Sequence, residues 1–202
     1  DKGAILSFKR EQNLVDKRPI IGMATRFAAE KGVEILLEAF PKVLEYYPKA
    51  LILFAGQYLG VWREEDYLNR LMPLIKGYQT VGKWKFLGNL SNQEMAAFYP
   101  NLDVLVVPSL NSTETFGLVQ VEAMINGVPC VASNLPGVRQ PVLMTGMGEV
   151  IPIGDAKALA EALLRIFANP QDYHGDLESI RQKFNPNTNA ALYEKIYVDL
   201  RS

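Results

Sequence analysis

The chain has 202 residues, of which 49% are hydrophobic and 21% charged, a composition that fits a globular domain with a sizeable core and excludes a disordered or fibrous protein. Its 21 Lys and Arg residues nearly cancel its 22 Asp and Glu residues, and no basic stripe is visible, so nucleic acid is not expected as a partner. A single cysteine, Cys130, excludes an internal disulfide, and the lone His174 has no Cys or His neighbour at ligand spacing, so no metal site is predicted.

The ends and the hydropathy of the chain bear on its cellular context. No apolar stretch approaches the ~18 residues needed to cross a bilayer, and no signal-peptide pattern opens the chain. We therefore expect a cytoplasmic protein without a transmembrane segment, for which peripheral contact with a membrane is compatible with the sequence. Residues 1–17 are charged and weakly patterned and do not begin with Met, which we interpret as a lead-in or linker from a missing amino-terminal domain.

Strands and helices are predicted to alternate along the rest of the chain. Short apolar runs indicate buried strands at 18–25, 50–56, 83–88, 104–110, 127–133 and 148–154. Apolar residues at helical spacing indicate helices at 33–47, within 64–76, at 117–126, after Asp155 and from about 188 to 200. Ser91 and Glu94 have the spacing of a capping box that opens a further short helix, while Pro41 is expected to kink or shorten the helix at 33–47.

This alternation predicts an α/β fold with a doubly wound, Rossmann-like parallel sheet of about six strands over residues 18–170. Residues 171–202 are predicted to form carboxyl-terminal helices that pack on this domain or cross toward the missing one.

The candidate site begins where the fourth predicted strand ends, because ligands of open α/β sheets bind at the carboxyl ends of the strands. Glu122 lies in a helix that is apolar nearly all round, so we expect the helix to be buried and the carboxylate to need a partner. An internal ion pair and a ligand hydroxyl both satisfy that need, and spacing alone does not decide between them.

A loop with a second acid precedes that helix. Glu114 lies eight residues before Glu122. The alternative to a ligand contact for Glu114 is a solvated or helix-capping acid. Between the two acids, Thr115, Phe116, Gly117 and Leu118 supply the first backbone N–H groups of the helix, which attract phosphate. Two carboxylates beside a phosphate site fit a ligand that also carries hydroxyls, such as a nucleotide sugar.

Two cations follow the first predicted strand. Arg26 and Lys31 should lie at the same edge of the sheet as the two glutamates, where Arg can hold two phosphate oxygens and Lys can add a point charge. Surface ion pairs with Glu30 or Glu34 are the alternative.

Five sequence patterns occur in order along the chain: G-x-x-T-R-F-x-x-E-K-G at 22–32, F-L-G at 86–88, V-P-S-L at 107–110, E-x-F-G-L-V-x-x-E-A-M at 114–124 and G-V-P-C-V-A-S at 127–133. Together they resemble the carboxyl-terminal, donor-binding domain of the retaining, group 1 glycosyltransferases with the GT-B architecture. The resemblance implies transfer of a sugar, with retention of configuration, from a nucleotide such as UDP or GDP to an unidentified acceptor, which can be a sugar, a glycan or a lipid-linked molecule. It also implies that the acceptor binds the missing domain and that no metal or other cofactor is needed.

The resemblance assigns a role to each matching residue. Arg26 and Lys31 would hold the donor diphosphate, and Glu114 would face the transferred sugar, so these three are the predicted catalytic residues. The donor-binding residues are predicted to be Glu122 on the ribose, Leu90 on the base, and the loop residues Thr115, Phe116, Gly117, Leu118 and Gly56.

The sequence departs from the family pattern at two loops. Gln57 stands where many relatives have a second glycine after Gly56, so that loop is expected to differ in shape. After Ser133, Pro136 replaces a usual glycine and Gln140 a usual acid.

Two other functions compete with this interpretation. A non-catalytic module that binds a nucleotide sugar would keep the same pocket and serve as a sensor or partner surface. A nicotinamide-dependent oxidoreductase is not supported, because no G-x-G-x-x-G follows the first strand.

Overall fold

The computed structural model describes residues 2–200, without the side chains at positions 189, 192 and 198. Within these residues six strands form one parallel sheet in the order β3-β2-β1-β4-β5-β6. The strands are β1 (Ile20–Ala24), β2 (Leu51–Ala55), β3 (Trp84–Gly88), β4 (Val104–Val107), β5 (Cys130–Ser133) and β6 (Gly148–Ile151). The predicted α/β, Rossmann-like fold is confirmed, although each of the six strands is shorter than predicted.

Nine α-helices flank the sheet in the described part of the chain. They are α1 (Lys2–Glu11), α2 (Val33–Tyr46), α3 (Glu65–Thr80), α4 (Asn92–Phe98), α5 (Leu118–Met124), α6 (Gln140–Thr145), α7 (Ala156–Ala168), α8 (Leu177–Lys183) and α9 (Pro186–Asp199). The capping box of Ser91 and Glu94 is present at the start of α4, and Asp155 caps α7 by accepting from the Ala158 amide at 2.8 Å. Helix α2 continues through Pro41, because the apolar face on both sides of the proline stays buried.

The core consists of two apolar layers, one on each face of the sheet. Successive residues of a strand point to opposite faces, so Ile52 and Phe54 of β2 lie in the layer that includes α2, α3 and α7. Leu51 and Leu53 lie in the layer that includes α4, α5 and α6. Burial on both faces explains why the strands read as continuous apolar runs.

Helix α1 is an element that the sequence pattern did not predict. Phe8 is buried and meets Phe98 of α4 edge to face at 6.4 Å between ring centroids. Asn101 also donates from its side-chain amide to the Ile5 carbonyl at 3.2 Å. The segment interpreted as a lead-in is therefore helical and packed over part of its length. Its weak pattern reflects the exposure of Leu6 and Val15.

The carboxyl-terminal segment contains α8 and α9. Ile180 of α8 is buried, and Arg181 donates to the Ile125 carbonyl beside α5 at 3.0 Å. Helix α9 follows α8 and begins two residues before the predicted start, and whether it crosses toward another domain stays a prediction. No helix in residues 2–200 is long and apolar enough to span a membrane.

The topological switch point of the sheet lies between β1 and β4, because the chain adds strands outward in one direction from β1 and in the other direction from β4. These two strands pair directly, with Gly22 opposite Leu105, although each is followed by a helix on a different face of the sheet. The loops that leave their carboxyl ends therefore diverge and open a crevice between them. Most of the predicted site residues lie in this crevice.

Candidate functional site

The loops that follow β1 and β4 are tied together beside the crevice. The Leu110 amide donates to the Glu30 carbonyl at 2.8 Å. Gly32 has a left-handed φ of 71° and lies so close to the other loop that a Cβ would be 2.0 Å from the Pro108 carbonyl oxygen. Only glycine meets both requirements, and the contact fixes the short 3-10 helix Ala29–Lys31 in place.

Lys31 and Glu114 form an ion pair across the crevice. The Lys31 Nζ donates to Glu114 Oε2 at 2.8 Å, and the two side chains are only 10% and 24% exposed. Lys31 is paired with neither Glu30 nor Glu34, the alternative that the sequence left open. Glu114 is neither freely solvated nor a helix cap, since it bonds Lys31 and the N-cap residue of α5 is Gly117, without a side-chain cap. A shielded pair of this kind is costly to break unless a new partner replaces the one that is removed.

An open cleft of about 650 Å³ surrounds this ion pair. Most of the predicted site residues line it, and its walls come from the end of β1, the two loops and the start of α5. The lining residues are Ala24, Thr25, Arg26, Lys31, Glu114, Thr115, Phe116, Gly117, Leu118 and Val119. The cleft therefore combines two cations and one carboxylate with an exposed apolar side chain, Leu118.

Arg26 forms the surface ion pair that the sequence left open as its alternative. Its guanidinium bonds Glu30 four residues later, and the Arg26 side chain is 51% exposed. The Glu30 side chain is only 14% exposed, so solvent and salt screen the pair from the Arg26 side. Arg26 can therefore turn toward a ligand at a lower cost than a cation that is shielded itself.

Glu122 corrects one prediction. The helix α5 was expected to be buried all round, but it packs through Gln120, Val121, Ala123 and Met124 and leaves Glu122 exposed. No cation in the described residues pairs with the carboxylate; its Oε2 instead accepts a 2.5 Å hydrogen bond from the Tyr99 hydroxyl. The internal ion pair is therefore wrong, and Leu118 and Glu122 share one outer face of α5, one turn apart.

Gly56 and Leu90 lie outside the lining of the cleft. A Cβ on Gly56, whose φ is 133°, would be 2.0 Å from the Thr25 carbonyl oxygen, so this glycine lets β2 end against the loop that follows β1. Leu90 is half-buried and packs on the core layer of α4 and α5. Their predicted contacts with a donor remain predictions.

Two supporting residues of the site were not predicted from the sequence. Gln120 is fully buried, and its side-chain amide donates to the Val138 carbonyl at 2.8 Å and to the Phe116 carbonyl at 3.4 Å. Gly137 lies so close to the same loop that a Cβ would be 1.6 Å from the Thr115 carbonyl oxygen. The one available signal was an amide between two valines in a largely apolar helix.

The described residues hold no group of three or more His, Cys, Asp or Glu side chains that could bind a metal ion. The chemistry that this cleft can supply from its own side chains is the binding of anionic oxygens by Lys31 and Arg26 and the acceptance of hydrogen bonds by Glu114.

Comparisons with known proteins relate this arrangement to characterised sequences and structures. A phosphatidyl-myo-inositol mannosyltransferase from Mycobacterium leprae (strain TN) is 33% identical over 139 residues, which cover 69% of this chain and 34% of the mannosyltransferase. The structure of sucrose-phosphate synthase from Thermosynechococcus elongatus superposes with a TM-score of 0.80 at 29% identity, covering 96% of this chain and 48% of that one. The structure of Anabaena HepE in complex with UDP and glucose has a TM-score of 0.72 at 21% identity, covering 94% and 52% of the two chains, and shows the same fold.

This chain thus spans only about a third to a half of these relatives. The family described as "Glycosyl transferases group 1" matches residues 5–188, which include every strand and both loops of the cleft. The chain belongs to the group 1 family of glycosyl transferases.

Proposed function

We propose that the chain is the donor-binding half of a glycosyltransferase, which binds a nucleoside diphosphate sugar and positions its sugar for transfer to an acceptor with retention of configuration. The acceptor, a sugar, glycan or lipid-linked molecule, would bind a second domain that faces the cleft. Because the chain spans only part of its relatives, the activity is proposed for the longer protein.

The observation that carries this proposal is the Lys31–Glu114 ion pair inside the cleft. The ammonium of Lys31 lies in a site that is largely shielded from water, since the residue is only 8% exposed, and a shielded cation binds phosphate more strongly than an exposed one. Glu114 is already within hydrogen-bond distance of that ammonium at 2.8 Å. A diphosphate and a hydroxyl-bearing sugar therefore find their complementary groups side by side.

The proposed mechanism follows from exchanging the partners of this ion pair. A phosphate oxygen of the donor takes the place of Glu114 on the Lys31 ammonium, and the released carboxylate accepts hydrogen bonds from the sugar hydroxyls. Arg26 leaves Glu30 and adds its guanidinium to the diphosphate. Both cations then stabilise the negative charge that develops on the leaving diphosphate in the transition state.

Calorimetric titration of the chain with UDP, GDP and ADP tests the donor site. We expect one of these nucleotides to bind and Lys31→Met to weaken its binding by about tenfold or more, because a hydrogen bond from a charged group contributes about 1.5–3 kcal/mol. Lys157→Met is the matched control, since Lys157 lies on α7 with a side chain that is 87% exposed. The proposal is wrong if none of the three nucleotides binds at millimolar concentration, or if Lys31→Met binds as the parent does.

The reaction is tested on the longer protein, because this chain by itself is expected to bind donor and transfer nothing. Incubation with the sugar nucleotide whose base binds and with candidate sugar, glycan and lipid-linked acceptors should release the nucleoside diphosphate and form a glycoside on the acceptor hydroxyl with the anomeric configuration of the donor. Binding without transfer or hydrolysis would favour the non-catalytic sugar-nucleotide module instead.

A further inference from the structure

Tyr99 is a buried tyrosine whose hydroxyl reaches a carboxylate of the candidate site. It lies in the 3-10 turn Tyr99–Asn101 that follows α4, is 2% exposed, and its ring meets Phe98 at 5.4 Å between centroids. Its hydroxyl donates to Glu122 Oε2 at 2.5 Å. The ring is thus held by packing, and the hydroxyl has one direction in which to donate.

The Tyr99 hydroxyl acts as a hydrogen-bond donor to Glu122 and does not give up its proton. Burial raises the pKa of Tyr99 well above its usual value, and the hydrogen bond to Glu122 and the charge of that carboxylate raise the pKa further. The hydroxyl therefore keeps its proton. Unlike a lysine or arginine, it holds the carboxylate without neutralising its charge.

Glu122 keeps one oxygen available for a ligand. Within residues 2–200, Tyr99 is the hydrogen-bond partner of its carboxylate, and this contact uses Oε2 alone. The residue is exposed and lies one turn after Leu118, on the same face of α5, and Leu118 lines the cleft. A charged, oriented carboxylate with a free oxygen beside a cleft is suited to accept hydrogen bonds from vicinal hydroxyls.

We infer that Tyr99 is a positioning residue, which fixes the Glu122 carboxylate so that it recognises the ribose hydroxyls of the donor nucleotide. This inference rests on the proposed function, since it assigns the ribose to a site that must first bind a nucleoside diphosphate.

The test compares ribose with 2′-deoxyribose nucleotides, because a ribose-recognising carboxylate distinguishes them. For whichever of UDP, GDP and ADP binds the chain, its affinity and that of the matching 2′-deoxynucleotide are measured for the parent, Tyr99→Phe and Glu122→Ala. We expect the parent to prefer the ribonucleotide and Tyr99→Phe to reduce this preference by about fivefold, the value of one net hydrogen bond. The affinity for the deoxynucleotide should stay unchanged.

A matched control removes the same kind of contact elsewhere. Tyr173 donates to Glu149 Oε1 at 2.6 Å on the far side of the sheet, so Tyr173→Phe deletes a hydroxyl bonded to a carboxylate and should leave the ribose preference intact. In the Glu122→Ala background, Tyr99→Phe should have no further effect on the preference, which separates positioning from general loosening of the fold.

The outcomes distinguish this inference from the proposal on which it rests. If the parent binds none of the ribonucleotides, the proposed function fails and the inference fails with it. If the parent binds but Tyr99→Phe retains the full ribose preference, or loses affinity equally for both sugars, only the positioning role of Tyr99 is overturned. Thermal unfolding of each variant shows whether it is folded during the titrations.

Discussion

Lys31 and Glu114 are 83 residues apart in the chain, and yet the lysine ammonium donates to the glutamate carboxylate at 2.8 Å inside the cleft. Each residue competes with the ligand group that the other is proposed to bind. The Glu114 carboxylate competes with a phosphate for Lys31, and the Lys31 ammonium competes with sugar hydroxyls for Glu114. A ligand that binds the cleft must therefore replace this ion pair, and variants of either residue should separate the binding of phosphate from the binding of sugar hydroxyls.

Glu114→Gln should bind the free nucleoside diphosphate more tightly than the parent does. The amide removes the competing negative charge and leaves the Lys31 ammonium, which is 8% exposed, with a weaker partner that a phosphate readily displaces. The expected gain is about fivefold, from a contribution of about 1 kcal/mol, and calorimetry at low and high salt measures it.

Glu30→Gln is the control for that experiment. Its carboxylate pairs with Arg26, whose side chain is 51% exposed, so solvent already screens the competition and the gain should be smaller. Equal or weaker nucleotide binding by Glu114→Gln would contradict the competition between carboxylate and phosphate. In the longer protein of the proposed function, Glu114→Gln should lose sugar transfer.

Gly137→Ala should distort the cleft from its supporting side. A Cβ at this position would be 1.6 Å from the Thr115 carbonyl oxygen, so the backbone of the loop that lines the cleft must move away. We expect a loss of about 1–3 kcal/mol in the free energy of unfolding, as for other overpacked sites, together with weaker nucleotide binding. Urea unfolding and calorimetry measure the two effects.

Gly77→Ala is the matched substitution for comparison. Gly77 lies in α3, and a Cβ there would meet nothing within 4 Å. Replacing a helical glycine by alanine should stabilise the protein by about 0.5–1 kcal/mol and leave nucleotide binding unchanged. If Gly137→Ala behaves like this control, the close approach of the two loops does not support the cleft.

The sequence allowed the sheet to be predicted because each strand of a parallel sheet is buried on both faces and reads as a short apolar run. The capping box at Ser91 was also predictable, since both of its partners lie within four residues. Gly127, which ends α5 with a left-handed φ of 80°, gave a similarly local signal. In each case neighbouring residues decide the structure.

The pairing of the site residues was beyond local patterns. The contact between Lys31 and Glu114 depends on the order of β1 and β4 in the sheet, and no spacing along the chain reports it. The exposure of Glu122 was missed because Leu118 on the same face is apolar although it is 66% exposed, so the helix read as buried all round. Helix α1 was missed because its packing relies on few buried side chains, with Phe8 the buried residue within the helix.

Glu149 should make the stability of the protein depend on acid. Burial alone would raise the pKa of its carboxyl, but the hydrogen bonds from Arg165 and Tyr173 and the charge of Arg165 outweigh burial and lower the pKa below the usual 4.5. The stabilisation is therefore complete above about pH 4.5 and is lost as the pH falls through the lower folded-state pKa.

Urea unfolding of Glu149→Gln and the parent at pH 6 and at about pH 3 checks this dependence. We expect the variant to be less stable at pH 6 by about 1 kcal/mol, because Arg165, which is 53% exposed, is partly screened by solvent. The difference should shrink in acid. Glu161→Gln is the control, since Glu161 lies 3.9 Å from Lys157 in an exposed pair; a parent that loses no more stability in acid than Glu149→Gln would contradict the argument.

Gln120→Met should loosen the two loops that Gln120 holds together. Methionine has nearly the same volume but donates nothing, so the carbonyl of Val138, which accepts from Gln120 at 2.8 Å, loses its partner at a cost of about 1–3 kcal/mol. The Gln120 Oε1 is buried and has no hydrogen-bond partner within the described residues, and removing it offsets part of that cost. The net loss in the free energy of unfolding should therefore be about 1 kcal/mol.

A double-mutant cycle shows whether Gln120 and Gly137 act on the same contact between loops. If they do, Gln120→Met should itself weaken nucleotide binding, because it frees the loop that Gly137→Ala displaces. The two changes combined should then weaken binding by less than the sum of their separate effects. Strict additivity of the two binding losses would show that Gln120 stabilises only the core beneath the cleft and that Gly137 alone sets the position of the Thr115 carbonyl.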